Sequence, residues 1–219
     1  MRRWMMAILW LTMALPLSAQ YNVKKLMEEG RRQLDMGYYV VAMQVFERIA
    51  AMKPNLYEAW YLSALCKYRL EDFKGAAEDG SRALALQPYI ADIFDLHAMA
   101  SMRLERYDSA AIDYTRALEI DDGNRDYWYN RAYAIYMGGD SAVASQQLDY
   151  ILHRWPDFTQ AQWLDNMIRR GIRPAPAKAP SMPSKGFWLP SLPKLLEESG
   201  RQPKVMRNPL MQGIGRKGK

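Results

Sequence analysis

The feature that most constrains this chain is a spacing. Pro54, Pro88 and Pro156 lie 34 and 68 residues apart, and Asp122 stands where a fourth stop is due. A fixed period of this size marks a stack of small supersecondary units, each too small to bury its own apolar face. Counting from Val23, Tyr57, Ala91 and Arg125, four consecutive units align column by column. Column eight reads Gly30, Ala64, Ala98 and Ala132, and column twenty reads Ala42, Ala76, Ala110 and Ala144. With alanine at about one position in ten, four in a row is a roughly one-in-ten-thousand coincidence for a column chosen in advance. Column four is large and apolar (Leu26, Trp60, Phe94, Trp128), and column seventeen is aromatic at Tyr39, Phe73 and Tyr107, with Ser141 departing.

These columns describe a helical hairpin. Small side chains at eight and twenty let two antiparallel helices approach closely, while bulky ones at four and seventeen fill the space beside the contact. Turn and stop residues fall where a hairpin needs them: Gly37, Glu71-Asp72, Glu105-Arg106 and Gly138-Gly139-Asp140 midway, and Pro or Asp at the end. Apolar residues recur at helical spacing between them, and no segment needs β-structure. Column twenty-seven holds Ile49 and Ile151 in the outer units against Ala83 and Ala117 in the middle ones, which predicts looser or differently angled packing at the ends. Residues 159–171 read as one further helix capping the last hairpin, with Trp163, Leu164, Met167 and Ile168 as its apolar face.

The columns resemble the tetratricopeptide repeat family over residues 23–158: an early bulky aromatic, Gly or Ala at the first helix contact, Ala in the second helix and a closing Pro. The resemblance implies an all-α, right-handed superhelical solenoid of four hairpins (units 23–56, 57–90, 91–124 and 125–158) with a capping helix. It also implies binding rather than catalysis, with a protein or peptide segment held on the concave face lined chiefly by columns two, five, nine, twelve and thirteen, to which Asn130 is added from column six. Here those columns give Tyr61, Leu65, Tyr68 and Arg69 in unit two and Asp92, Asp95, Met99, Met102 and Arg103 in unit three. Unit four gives Asp126, Tyr129, Asn130, Tyr133, Tyr136 and Met137. Tyrosine and methionine suit such a wall, offering large apolar area with a polar tip or an adaptable thioether. About half of these positions are expected to pack against the next repeat instead. Asp92, Asp95 and Asp126 would complement a basic ligand segment. The best-known sites of the family clamp a carboxyl terminus with Lys and Asn at columns five, nine and six. Only Asn130 matches, so a receptor for cytosolic chaperone tails is disfavoured.

The two ends differ from this body. Arg2-Arg3, an apolar run from Trp4 to Leu15, then Pro16 and Ser18-Ala19 form an export-signal pattern over residues 1–19, with cleavage expected after Ala19. Its apolar run is short of the roughly 18 residues that span a bilayer. The protein is expected in the periplasm or envelope. Residues 20–171 carry 18 basic and 22 acidic side chains, and residues 172–219 carry 10 and 2, so a mildly acidic body precedes a tail of net charge +8. Eight of the twelve prolines lie in that tail, which reads as disordered. Its apolar patch, Phe187, Trp188, Leu189, Leu192, Leu195 and Leu196, reads as a linear motif for another protein or for self-docking in the acidic groove. The terminal basic cluster would suit an anionic membrane surface, and nucleic acid is the weakest partner for an exported chain.

Chemistry is not suggested. His97 and His153 have no ligand partners at metal spacing, Gly138-Gly139 is a hairpin turn rather than a phosphate loop, and no nucleophile elbow occurs. No cofactor is implied. Cys66, the single cysteine, reads as a buried inert thiol.

Overall fold

A computed structural model describes residues 22–172. The leader and the tail, with its 187–196 patch, lie outside the described residues. Among those described, every regular element is α-helical: α1 Val23–Asp35, α2 Tyr39–Met52, α3 Tyr57–Arg69, α4 Phe73–Leu86, α5 Ala91–Arg103, α6 Tyr107–Ile120, α7 Arg125–Gly138, α8 Ser141–Arg154 and α9 Thr159–Arg169. Each helix packs on its sequence neighbour, so four hairpins and the capping helix form a stack.

The hairpin turns share one geometry, set at column fifteen. Gly37, Glu71, Glu105 and Gly139 all adopt positive φ, at 82°, 63°, 58° and 107°. Such a residue just past a helix turns the chain back so that two further amides find carbonyl partners in the last turn. Gly37 N–H donates to Leu34 and Tyr38 N–H to Gln33; the pairs Glu71 to Tyr68 with Asp72 to Lys67, Glu105 to Met102 with Arg106 to Ser101, and Gly139 to Tyr136 with Asp140 to Ile135 repeat this. The next helix then starts. In units two and four an aspartate caps it, Asp72 accepting from Gly75 N–H at 2.9 Å and Asp140 from Val143 N–H at 3.0 Å.

The small columns do what small columns must. Ala42, Ala76, Ala110 and Ala144 are fully buried, as are Ala64, Ala98 and Ala132. A β-carbon at Gly30 would stand 2.6 Å from Phe46 Cε1, so the ring of α2 lies directly on the α1 backbone. Column four seals the joints between units: Trp60 Nε1 donates to the Pro54 carbonyl at 2.8 Å and Trp128 Nε1 to the Asp122 carbonyl at 2.9 Å. Gln162, at the equivalent place on α9, donates to the Pro156 carbonyl at 2.6 Å.

Burial divides into two apolar cores that meet at α5. Ile93, Leu96, Met99 and Ala100 complete the first, whereas Ala98 and Met102 belong to the second. Ile49 and Ile151 are fully buried, so the larger side chain of the end units is taken into the core. On α9 the packed residues are Ala161 and Leu164 with Ile168 partly covered, while Trp163 is half exposed. Trp163 thus departs from the expected apolar face, because adjacent residues on a helix point about 100° apart. Cys66 is buried in the first core, and burial pushes its thiol up to about 12, which suppresses the reactive thiolate.

Candidate functional site: the inner face of the stack

The first helix of each hairpin lies on one side of the stack, where α3 touches α5 and α7 touches α9 directly. Fifteen side chains were expected on this face: Tyr61, Leu65, Tyr68, Arg69, Asp92, Asp95, Met99, Met102, Arg103, Asp126, Tyr129, Asn130, Tyr133, Tyr136 and Met137. Nine of them are at most 9% exposed, namely Tyr61, Leu65, Tyr68, Asp95, Met99, Met102, Tyr133, Tyr136 and Met137. Arg69, Asp92, Arg103, Asp126, Tyr129 and Asn130 retain more surface.

Two groups form among these residues. The first is aromatic and sits at the α7 end. Tyr129 and Tyr133 stack with ring centroids 6.2 Å apart, Tyr129 meets Phe158 edge-on at 5.7 Å, and the Arg125 guanidinium lies over the Phe158 ring at 4.7 Å. Burial raises the Tyr129 hydroxyl to about 12, with Tyr133 adding to it. Tyr136 donates to the Ile172 carbonyl at 2.7 Å, which ties the end of the described chain to this wall.

The second group is acidic and spans α3, α5, α6 and α7. Tyr127 Oη donates to Asp92 Oδ1 at 3.0 Å. One turn along α5, Asp95 is 6% exposed and its carboxyl is raised to about 7, chiefly by burial, with the charges of Asp92 and then Asp126 adding and Tyr114 opposing. Tyr61 faces both aspartates from α3: burial first, then their negative charge, raises its hydroxyl, while Arg31 on α1 works the other way. Tyr114 brings its hydroxyl to Asp95 and opposes the rise through that contact, although among the described residues Tyr114 Oη, Asp95 Oδ1 and Tyr61 Oη meet no partner at full hydrogen-bond geometry. Buried polar atoms left this way cost roughly 1–3 kcal/mol each.

Sequence reasoning missed Tyr127 and Tyr114. Column three holds Ala59, Ile93 and Tyr127 after an exposed Lys25 in unit one, and column twenty-four holds Phe46, Gly80, Tyr114 and Leu148. Both columns are packing positions, and the only signal was a hydroxyl where the other units place none.

A second constellation was also missed, on the opposite side of the hairpins. His97 on α5 has Nδ1 2.7 Å from Asp113 Oδ2 on α6 and Nε2 3.0 Å from Ser81 Oγ on α4. The serine–histidine–aspartate order invites comparison with a nucleophilic relay. Ser81, however, donates its hydroxyl proton to the Ala77 carbonyl at 2.9 Å and stands inside a helix whose own ladder uses the neighbouring amides. Among the described residues the amides around Ser81 are taken up by the α4 helix ladder, which leaves no pair there to receive an oxyanion. The chain Ser81–His97–Asp113 therefore reads as a polar tie between units two and three. Among the described residues no three His, Cys, Asp or Glu side chains converge on a metal-sized site, and no described helix is long and apolar enough to cross a membrane.

A tetratricopeptide repeat family model matches residues 27–89 and 96–164, more than half of the chain. The chain belongs to the tetratricopeptide repeat family. No curated protein matches its sequence. Solved tetratricopeptide structures share its fold at low identity. A MamA protein superposes with a TM-score of 0.64 at 16% identity, covering 69% of this chain and 84% of its own. YrrB, described as a tetratricopeptide protein with an unusual peptide-binding site, superposes at 0.61 with 15% identity, covering 68% and 77%. The first tetratricopeptide domain of Spaghetti (RPAP3), bound to an HSP90 peptide, superposes at 0.51 with 22% identity, covering 52% and 90%.

Proposed function

We propose that this tetratricopeptide protein is an exported adaptor that holds a protein segment on its concave face within the cell envelope. The observation that carries this reading is the Tyr129 ring, which keeps surface on the inner side of the last hairpin, is backed by the buried rings of Tyr133 and Phe158, and shares α7 with the accessible Asp126 and Asn130. Aromatic anchors of this kind contribute most to the affinity of protein interfaces. Peptide binding in YrrB and in RPAP3 supports the same use of the fold. The export-signal pattern of residues 1–19 supports the location.

The test is a photo-crosslinker placed in cells at Tyr129, and in a control at the outward-facing Ile112, which is 62% exposed. A polypeptide partner trapped from Tyr129 and not from Ile112, and lost from pull-downs by Tyr129→Ala with Tyr133→Ala, is the expected result. The net charge of +8 in residues 172–219 favours a second reading. In it the repeats are a spacer in an envelope complex, and the basic tail attaches to a protein or an anionic membrane surface. Under that reading the tyrosine substitutions leave the pull-down intact and only loss of the tail abolishes it.

A further inference from the structure

Unit one carries an apolar edge that the other units lack. Met36, Tyr38, Val40 and Val41 stand around the α1–α2 turn, between 47% and 60% exposed, and belong to neither apolar core. Column sixteen sets Tyr38 against Asp72, Arg106 and Asp140, column eighteen sets Val40 against Lys74, Asp108 and Ala142, and column nineteen sets Val41 against Gly75, Ser109 and Val143. The hairpin therefore closes without a run of large apolar side chains at these places. Tyr38 even forgoes a local gain. It stands at the N-cap of α2 and makes no side-chain cap bond, where Asp72 and Asp140 cap their helices, a difference of about 1 kcal/mol. A local rule broken with no return inside the fold marks a surface kept for contact.

Area and reach select what covers it. The patch is too small for a second copy, because four half-exposed side chains offer only about half of the roughly 800 Å² that each partner of a stable interface buries. A tethered segment needs less, since its tether holds it near the surface at an effective concentration of order millimolar. The chain supplies such a segment: Phe187, Trp188, Leu189, Leu192, Leu195 and Leu196 fall within residues 187–196. The first helices of the hairpins all run the same way, so the turns that end them line one edge of the stack. Tyr136, just before the turn at Gly139, holds the Ile172 carbonyl, and the described chain thus ends on that edge. From there to the α1 turn is three to four steps between first helices, about 30–40 Å. Residues 173–186, with Pro174, Pro176, Pro180 and Pro183 among them, cover about 43 Å at the polyproline rise of about 3.1 Å per residue. Phe187 can therefore stand at the patch. The residues that precede the fold join α1 at its other end, Val23, about 20 Å away. The inner face offers the segment less, because most of its tyrosines and methionines are buried.

We propose that residues 187–196 of this chain dock on the Met36, Tyr38, Val40 and Val41 edge of its own first hairpin, so that the tail runs as a strap along the turn edge from the last unit to the first. The contact leaves the inner face open, so it goes beyond the segment-holding reading and stands or falls separately from it.

A photo-crosslinking aromatic residue in place of Tyr38 in the purified full chain tests the strap, with the same group at the outward-facing Ile112 as control. The expected result is an intramolecular product joining position 38 to residues 187–196, identified by mass spectrometry, unchanged in yield on dilution and absent from Ile112. Phe187→Ala with Trp188→Ala removes two aromatic anchors and should lower the yield about tenfold. That pair lies outside the repeats, so its effect is not one of unfolding the stack. Val40→Asp with Val41→Ser, which installs the residues that unit three carries at these columns, should lower it as much. No product with 187–196, a yield indifferent to both pairs, or an equal yield from Ile112 overturns the proposal. A product joining two chains also overturns it and assigns the edge to a second copy, and a product with residues 1–21 overturns it in favour of the leader.

Discussion

A carboxylate is hardest to keep where Asp95 stands, 6% exposed on α5 with two other aspartates near it. Its carboxyl ordinarily titrates at 3.8 and here at about 7. Between those values the folded protein holds a proton that the unfolded chain releases, so the stabilisation is full below pH 4 and is lost as pH rises through 7. Asp95→Asn removes the penalty. Urea denaturation should show the variant close to the parent at pH 4 and more stable at pH 8, by up to about 4 kcal/mol. Asp79 is the opposite case. It is 1% exposed but accepts from Ser63 Oγ at 2.7 Å, Lys67 Nζ at 2.6 Å and Arg82 Nη1 at 2.8 Å. Asp79→Ala strands the buried hydroxyl and leaves the largely covered Lys67 ammonium without its nearest partner, and should cost about 3 kcal/mol in the same assay at pH 7. Column arithmetic could place Asp95 on the inner face. It could not say that Tyr114 approaches the same carboxylate, because Tyr114 comes from a second helix and its column reads as core.

At the scale of the helix and its turn, column fifteen is where sequence and geometry part. Gly37 and Gly139 advertise a turn, whereas Glu71 and Glu105 do not, yet all four take the left-handed conformation. A residue with a β-carbon costs roughly 1–2 kcal/mol there. Glu71→Gly and Glu105→Gly should each raise stability by about 1 kcal/mol, less the entropy glycine restores to the unfolded chain, and Gly139→Ala should lower it by about as much. Thermal melts of the three variants decide this. The sequence placed the turns at these glutamates, but no residue type there marked the left-handed conformation. Gly30 tests the close approach of α1 and α2. Alanine is worth up to about 1 kcal/mol more than glycine in a helix. Its β-carbon would nonetheless meet Phe46, a fully buried ring with nowhere to retreat. Gly30→Ala should therefore destabilise, by about 1–2 kcal/mol net, and the packing cost outweighs the propensity gain.

In the whole molecule, stability is passed from neighbour to neighbour, since the contacts of each helix are almost all with the next. This much was legible from a period of 34 and two columns of small residues. The meeting of α3, α5, α6 and α7 around Asp95 was not, because it depends on how far each hairpin rotates on the last, which no column records. The same rotation gives α5 its special place between the two apolar cores. Leu96 is 1% exposed and belongs to the first core, whereas Ala98, two residues on, belongs to the second. A cavity at Leu96 weakens the helix that, alone among the described ones, carries apolar residues of both cores, and Leu96→Ala should cost about 2–5 kcal/mol. Its larger effect should be on cooperativity. In a linear array, loss of one interface lets the two sides unfold separately, whereas an equal loss at an end only shortens the array. Leu164→Ala, at a fully buried site on the capping helix, supplies that end control. Hydrogen exchange along a urea series should show α1 to α4 and α6 to α9 opening at different concentrations in Leu96→Ala. In Leu164→Ala the early opening should be confined to α8 and α9, with α1 to α7 still opening together.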